Sequence, residues 1–179
     1  MKTLLLPVLL AFAWLHLASD AVAAVIFVKI DGITGTSTVA LHVGEIPVLG
    51  ACTFGSEQPE IVAAGQKVSA KKVKVKLLQF DKVVDKSTPQ LLVYCAGGQL
   101  APTAKVTFRE NQTTHDYLIL ELTNVYVAET QTYSYDGNDA IENVWLSYDG
   151  IKITYQPLVG PPVTVGFDTK TNKPTTPVP

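Results

Sequence analysis

The sequence predicts a mainly β fold, a closed or nearly closed β barrel or sandwich with one short helix. Three observations carry this. Val, Ile, Thr and Tyr recur in alternation with polar residues along most of the chain, which is the period of a strand with one face buried. Only residues 72–109, KVKVKLLQFDKVVDKSTPQLLVYCAGGQLAPTAKVTFR, break that alternation with a helix signature. The chain has 179 residues, enough for one domain with a sizeable core and hardly two.

The elements follow in order. Residues 1–24 read as a secretory leader: Lys2 is the positive start, 4–17 is an apolar run, and Ala21-Val22-Ala23-Ala24 offers small residues for cleavage after Ala23 or Ala24. The alternative is an uncleaved anchor, but the run is shorter than the roughly 20 apolar residues a spanning helix needs. Residues 25–30 are a β-branched first strand, and Asp31-Gly32 with Thr34-Gly35-Thr36 turn the chain. A short strand is expected over 38–43 and another over 45–54. Pro47 puts the second at an edge or bulge, and Gly50 weakens it. Residues 55–70 are a long loop, a length that in compact domains is usually functional or disordered.

The central unit follows. Val73, Val75 and Leu77 alternate with Lys72, Lys74 and Lys76 as a strand. Asp85-Lys86-Ser87-Thr88-Pro89 starts a helix running over 90–96. Ser87 or Thr88 accepts from the orphan N–H groups, Pro89 fits the first turn and Asp85 sits at the positive end of the dipole. Gly97-Gly98 ends the helix, with Gly97 in the left-handed conformation. Ala104, Val106 and Phe108 then share one face of a strand. After a turn at 111–114, a long strand covers 115–127, Asp136-Gly137-Asn138-Asp139 signals a hairpin, and 141–155 return with a bulge at Asp149-Gly150. Residues 163–167 are a last strand, and 171–179 a flexible Pro/Thr tail. The domains are therefore 1–24 leader, 25–170 β domain and 171–179 tail.

Charge narrows the function. The net charge of −2 gives no basic field for nucleic acid or anionic lipid, and loss of Lys2 and Asp20 with the leader leaves it unchanged. No nucleic-acid partner is expected, and no membrane partner once the leader is cleaved. Export would make the protein secreted or periplasmic, where Cys52 and Cys95 are a candidate disulfide; the alternative is two buried free thiols. His42 and His115 are far apart, with no ligand spacing around them, so no metal or cofactor is expected. Cys95 with His115, and Asp81 with Asp85, are the only nominal catalytic pairs; they read as a helix thiol near a strand start and as cap and solvent charges. No catalytic residue is assigned. Tyr133, Tyr135 and Tyr148 are either a sugar-binding platform or ordinary cross-strand packing.

Several segments in register carry a family resemblance. They are Ile26–Gly35 (IFVKIDGITG), His42 with Gly44-Glu45-Ile46 and Val48-Leu49, and Asp85-Lys86-Ser87-Thr88-Pro89 with Leu91, Leu92, Cys95 and Gly97. Ala104-Lys105-Val106-Thr107-Phe108-Arg109, Glu142-Asn143-Val144, Tyr155-Gln156-Pro157, Gly166-Phe167-Asp168 and Asn172-Lys173 complete the series. On these the chain resembles the Hcp proteins, the hemolysin-coregulated tube subunits of type VI secretion. The resemblance implies a barrel like that of phage tail tubes, flanked by a short outer helix. It also implies a homohexameric ring that stacks into tubes and works with spike, sheath and effector proteins. It places ring stacking on the 55–70 loop, with Glu57, Gln58, Glu60, Ile61 and Gln66 as candidates, and outer contacts on Lys82, Lys86 and Gln90.

Two departures stand out. Gly50-Ala51-Cys52-Thr53-Phe54-Gly55 replaces a segment where the family usually has two tryptophans around a serine. Family members are loaded from the cytoplasm and normally lack a leader; a misassigned start would restore that cytoplasmic route. The reading from another class is a secreted monomeric β-barrel binding module for a sugar or protein partner.

Overall fold

A computed structural model of the protein describes residues 25–58, 72–134, 137 and 139–175. In order these form β1 (Val25–Ile30), β2 (Ile46–Pro47), β3 (Cys52–Thr53), β4 (Ser56–Glu57), β5 (Lys74–Val75), β6 (Leu78–Val83), α1 (Thr88–Gly97), β7 (Leu100–Arg109), β8 (Asp116–Tyr133), β9 (Ile141–Ser147), β10 (Gly150–Tyr155), β11 (Val163–Asp168) and β12 (Lys173–Pro174).

The wall is an antiparallel run of β1, β7, β8, β9 and β6. The 18-residue β8 serves two partners besides β7. Its first half pairs with β10 and its second with β9. The partners change around Asn124, whose φ of 50° lies in the left-handed region that asparagine tolerates. From β10 the sheet continues through β11 to β12.

The sheet is not closed by a continuous ladder. Residues 46–53 span the gap: β2 pairs with β1, the Leu49 N–H donates to the Asp81 carbonyl at 2.7 Å, and β3 pairs with β6. Pro47 lacks a ladder donor and Gly50 has φ 77°, so the strand expected over 45–54 is two short pieces on either side of Gly50.

Alternation fixes the core. Ile26, Val28 and Ile30, then Ala104, Val106 and Phe108, then Leu120 and Leu122, then Leu78 and Phe80, and finally Val144 and Leu146 all point inward. Each large one contributes about 1.5–3 kcal/mol on burial. Leu91 is the fully buried residue of α1 and joins the same core.

Several expectations are corrected. Residues 38–43 form turns, with the His42 N–H donating to the Val39 carbonyl at 2.9 Å, because the segment folds back over β1 instead of extending. The lysine-rich alternation at 72–77 yields only the two-residue β5. The substantial strand is β6, because its residues 78, 80 and 82 are the ones that fill core positions. Neither Ser87 nor Thr88 caps α1 by its side chain. Asp85 instead accepts from the Ser87 N–H at 2.9 Å, and Thr88 Oγ1 from the Asp85 N–H at 3.2 Å. The left-handed residue is Gly98, with φ 57°, one place beyond Gly97. The tail expected from 171 begins with ordered residues, since Phe167 pairs with Pro174 and Asp168 with Lys173. The leader and residues 176–179 lie outside the described residues.

Candidate functional site

Two buried polar networks set the surfaces this fold can offer. The first joins α1 to the barrel. β6 and β9 place Lys82 and Glu142 opposite each other at core positions, where they are 0 % and 1 % exposed. Lys82 Nζ is 3.0 Å from Glu142 Oε2 and 2.9 Å from Asp85 Oδ1, and it donates to Thr88 Oγ1 at 2.9 Å. The Thr88 hydroxyl donates onward to Glu142 at 2.7 Å. Burial works against the Asp85 carboxylate, but hydrogen bonds from Ser87, Lys82 and Thr36 outweigh it and hold its pKa below the ordinary value. Lys82, expected as an outer contact, is therefore an interior anchor on a strand. Gln90 is half-buried, and its Oε1 accepts from the Thr34 N–H at 2.8 Å, tying α1 to the loop after β1. Lys86 is exposed, as are Leu92 and Val93 on the helix.

The second network underlies residues 37–45. The His42 ring is 2 % exposed and stacks on Phe27 at 4.2 Å and 7°. Its Nδ1 lies 2.7 Å from Glu45 Oε2 and its Nε2 3.4 Å from Asp116 Oδ1. Arg109 Nε donates to Asp116 at 2.6 Å, and Arg109 Nη1 to the Ala40 carbonyl at 3.1 Å. Burial disfavours the Asp116 carboxylate, yet Arg109 and His42 outweigh it and keep its pKa low. Gly35 is required here, because a Cβ would stand 2.3 Å from the Glu45 carbonyl oxygen.

The result is an apolar tip on a charged, buried base: Val39, Leu41 and Val43 are 43 %, 75 % and 73 % exposed. Leu41 has φ 72°, a conformation a leucine holds only when its surroundings impose it. With carboxylates on both ring nitrogens, His42 is committed to holding this loop. Sequence reading left His42 isolated. Its partners were signalled by the His42–Glu45 spacing and by Arg109 and Asp116 bracketing the 111–114 turn.

The remaining expected residues are dispersed. Cys52 on β3 and Cys95 on α1 are free thiols, so no bridge joins them. Burial, helped by Asp81, pushes Cys52 up to about 12. Glu57 lies in β4 opposite Lys74, and Glu57 and Gln58 are exposed. Glu60, Ile61 and Gln66 lie outside the described residues. Of the three tyrosines, Tyr148 is 9 % exposed with its hydroxyl on the Lys76 carbonyl at 3.2 Å, so it belongs to the packed wall and not to an exposed platform; Tyr135 lies outside the described residues. Burial raises the Tyr148 phenol to about 12. His115 sits at the turn before β8, and among the described residues no group of three or more His, Cys, Asp or Glu is placed to hold a metal.

Known proteins match this arrangement. The family model described as "Type VI secretion system effector, Hcp" matches residues 27–155. Protein hcp1 of Pseudomonas aeruginosa is 36 % identical over 157 residues, which cover 82 % of this chain and 95 % of that protein. The crystal structure of Hcp1 from Salmonella typhimurium superposes with a TM-score of 0.73 at 36 % identity, covering 85 % of this chain and 99 % of that one. A type VI secretion system effector from Yersinia pestis gives a TM-score of 0.68 at 25 % identity, covering 80 % and 98 %. With a family model spanning most of the chain and a relative of this identity over this length, the protein belongs to the Hcp family of type VI secretion proteins.

Proposed function

We propose that the chain is a non-enzymatic structural subunit, exported by its own leader, that assembles as a homohexameric ring able to stack into tubes and carry protein cargo. The observation that carries this reading is the Hcp likeness itself, 36 % identity over 157 residues. The surface supports it physically. Leu41, Val43, Leu92, Val93, Leu158 and Val159 are large apolar side chains more than half exposed, and they offer apolar surface to a neighbouring subunit. Stacking is assigned to the 55–70 loop, with Glu57, Gln58, Glu60, Ile61 and Gln66, and outer contacts to Lys86 and Gln90. Sheath, spike and effector proteins are the further partners.

Two observations test it. Electron microscopy of the exported protein should show rings with sixfold symmetry; only small single particles would refute the ring. Sequencing the N-terminus should find Ala24 or Val25 in the periplasmic or extracellular fraction. An intact Met1 confined to the cytoplasm would refute export while leaving the ring untouched.

A further inference from the structure

The hairpin between β10 and β11 ends in an apolar tip. Residues 155–163, YQPLVGPPV, contain no charged side chain. Leu158 and Val159 are 74 % and 90 % exposed, and Tyr155 and Val163 at the base of the hairpin are also exposed. Clustered exposed apolar side chains of this kind mark an interaction surface. The tip is held in shape: Pro157, Pro161 and Pro162 fix φ at three positions, and Gly160 takes φ 102°, open to glycine alone without strain. A tip set in advance loses little freedom on docking.

The same chain carries an apolar groove. Pro47, Val48 and Leu49 meet Val83 and Val84, at the end of β6, around a space of about 290 Å³. Leu49, Val83 and Val84 are exposed within it. At its rim the Thr36 hydroxyl donates to Asp85 at 2.8 Å, and Asp85 is paired with Lys82. Strand register sets groove and tip on one row. The Val48 N–H donates to the Ile26 carbonyl at 2.9 Å; Ile26 faces Phe108, Phe108 faces Leu118, Leu118 faces Tyr155, and Tyr155 faces Val163. Leu158 and Val159 lie in the turn just beyond that last pair. From β2 to β11 the row crosses five strand intervals, about 24 Å along the sheet. Groove and tip therefore stand at the two ends of one row, too far apart along the sheet to cover each other within one subunit. A second copy set beside the sheet can join them without sliding along the strands.

We propose that the Leu158–Val159 tip of one copy seats in the groove between Leu49 and Val84 of the next. The contact joins two different surfaces of the same chain, so it propagates head to tail, and such a contact closes into a ring when its rotation permits. The inference rests on the ring proposed above and names the contact that builds it.

The test is native mass spectrometry of the protein lacking residues 1–24 over a dilution series. Leu158→Asp/Val159→Asp should raise the concentration at which rings dissociate by about tenfold or more, since two apolar side chains no longer bury. The tip is exposed in the single subunit, so at a dilution where both chains are monomeric this variant should melt with the parent. Val84→Lys, at the other end of the row, should also weaken the ring. Val159→Asp combined with Val84→Lys should regain part of the loss seen with Val159→Asp alone, because the introduced acid now meets a cation; the two effects are then not additive. A parent that forms no ring at any concentration removes the ring reading, and the contact with it. A parent that forms rings beside a tip variant that dissociates at the same concentration overturns the contact and leaves the ring standing. Strict additivity of Val159→Asp and Val84→Lys also overturns it, and the groove then belongs to a different occupant.

Discussion

Replacing Lys82 with methionine tests the buried anchor most sharply. The side chain keeps a similar length but loses its charge, its contacts to Glu142 and Asp85, and its hydrogen bond to Thr88. Glu142, 1 % exposed, is left with the Thr88 hydroxyl as its remaining hydrogen-bond partner. Removing one member of a buried ion pair costs about 3–5 kcal/mol, mostly through the stranded partner. In a domain of this size each kcal/mol moves the melting temperature by about 2–4 °C, so the expected drop is about 6–20 °C. Lys82→Met with Glu142→Leu removes both charges from facing core positions and should recover most of that loss. The assay is urea unfolding at one fixed protein concentration, followed by fluorescence of Trp145 on β9. A Lys82→Met loss below about 1 kcal/mol, or a double variant at the sum of the two single ones, would refute the reasoning.

Other outcomes follow from the same structure. Gly35→Ala drives a Cβ into the Glu45 backbone and should cost about 1–3 kcal/mol or more; limited proteolysis near Leu41 should accelerate with it. Arg109→Met removes the contacts to Asp116 and Ala40 and should loosen the same loop, read as faster hydrogen exchange at 39–43. Asp85 and Asp116 have folded pKa values below their unfolded ones. Their contribution to stability is therefore complete above about pH 4 and is lost as pH falls through the folded values. Asp85→Asn and Asp116→Asn should each flatten the acid limb of urea midpoint against pH. Cys52, with its thiol near 12, should resist alkylation at pH 8 until the protein unfolds.

Much of the fold was legible because burial of one strand face writes itself as period-2 alternation. Ala104, Val106 and Phe108 point inward as their spacing required, and Pro47 lies on an edge strand. The strand before the helix was misplaced for a physical reason. The Val–Lys alternation at 72–77 is a strand pattern on a segment that gains little burial, whereas Lys82 occupies a core position that hydropathy alone assigns to solvent. A buried lysine becomes readable only once Glu142 is known to face it, sixty residues away in sequence. The loop at 37–45 hid for a related reason: its order comes from Arg109 and Asp116, contacts that local sequence does not encode. Asp85 took over the cap because its carboxylate reaches the Ser87 N–H while Ser87 is already in helical conformation.

The central claim is that this Hcp-family chain works as an assembly. Native mass spectrometry of the protein lacking residues 1–24, at micromolar concentration and near-neutral pH, tests it most directly. The expected spectrum is dominated by a species of six times the mature subunit mass, with multiples of it where rings stack. A spectrum of monomer alone at that concentration would contradict the account and favour a single-subunit secreted protein.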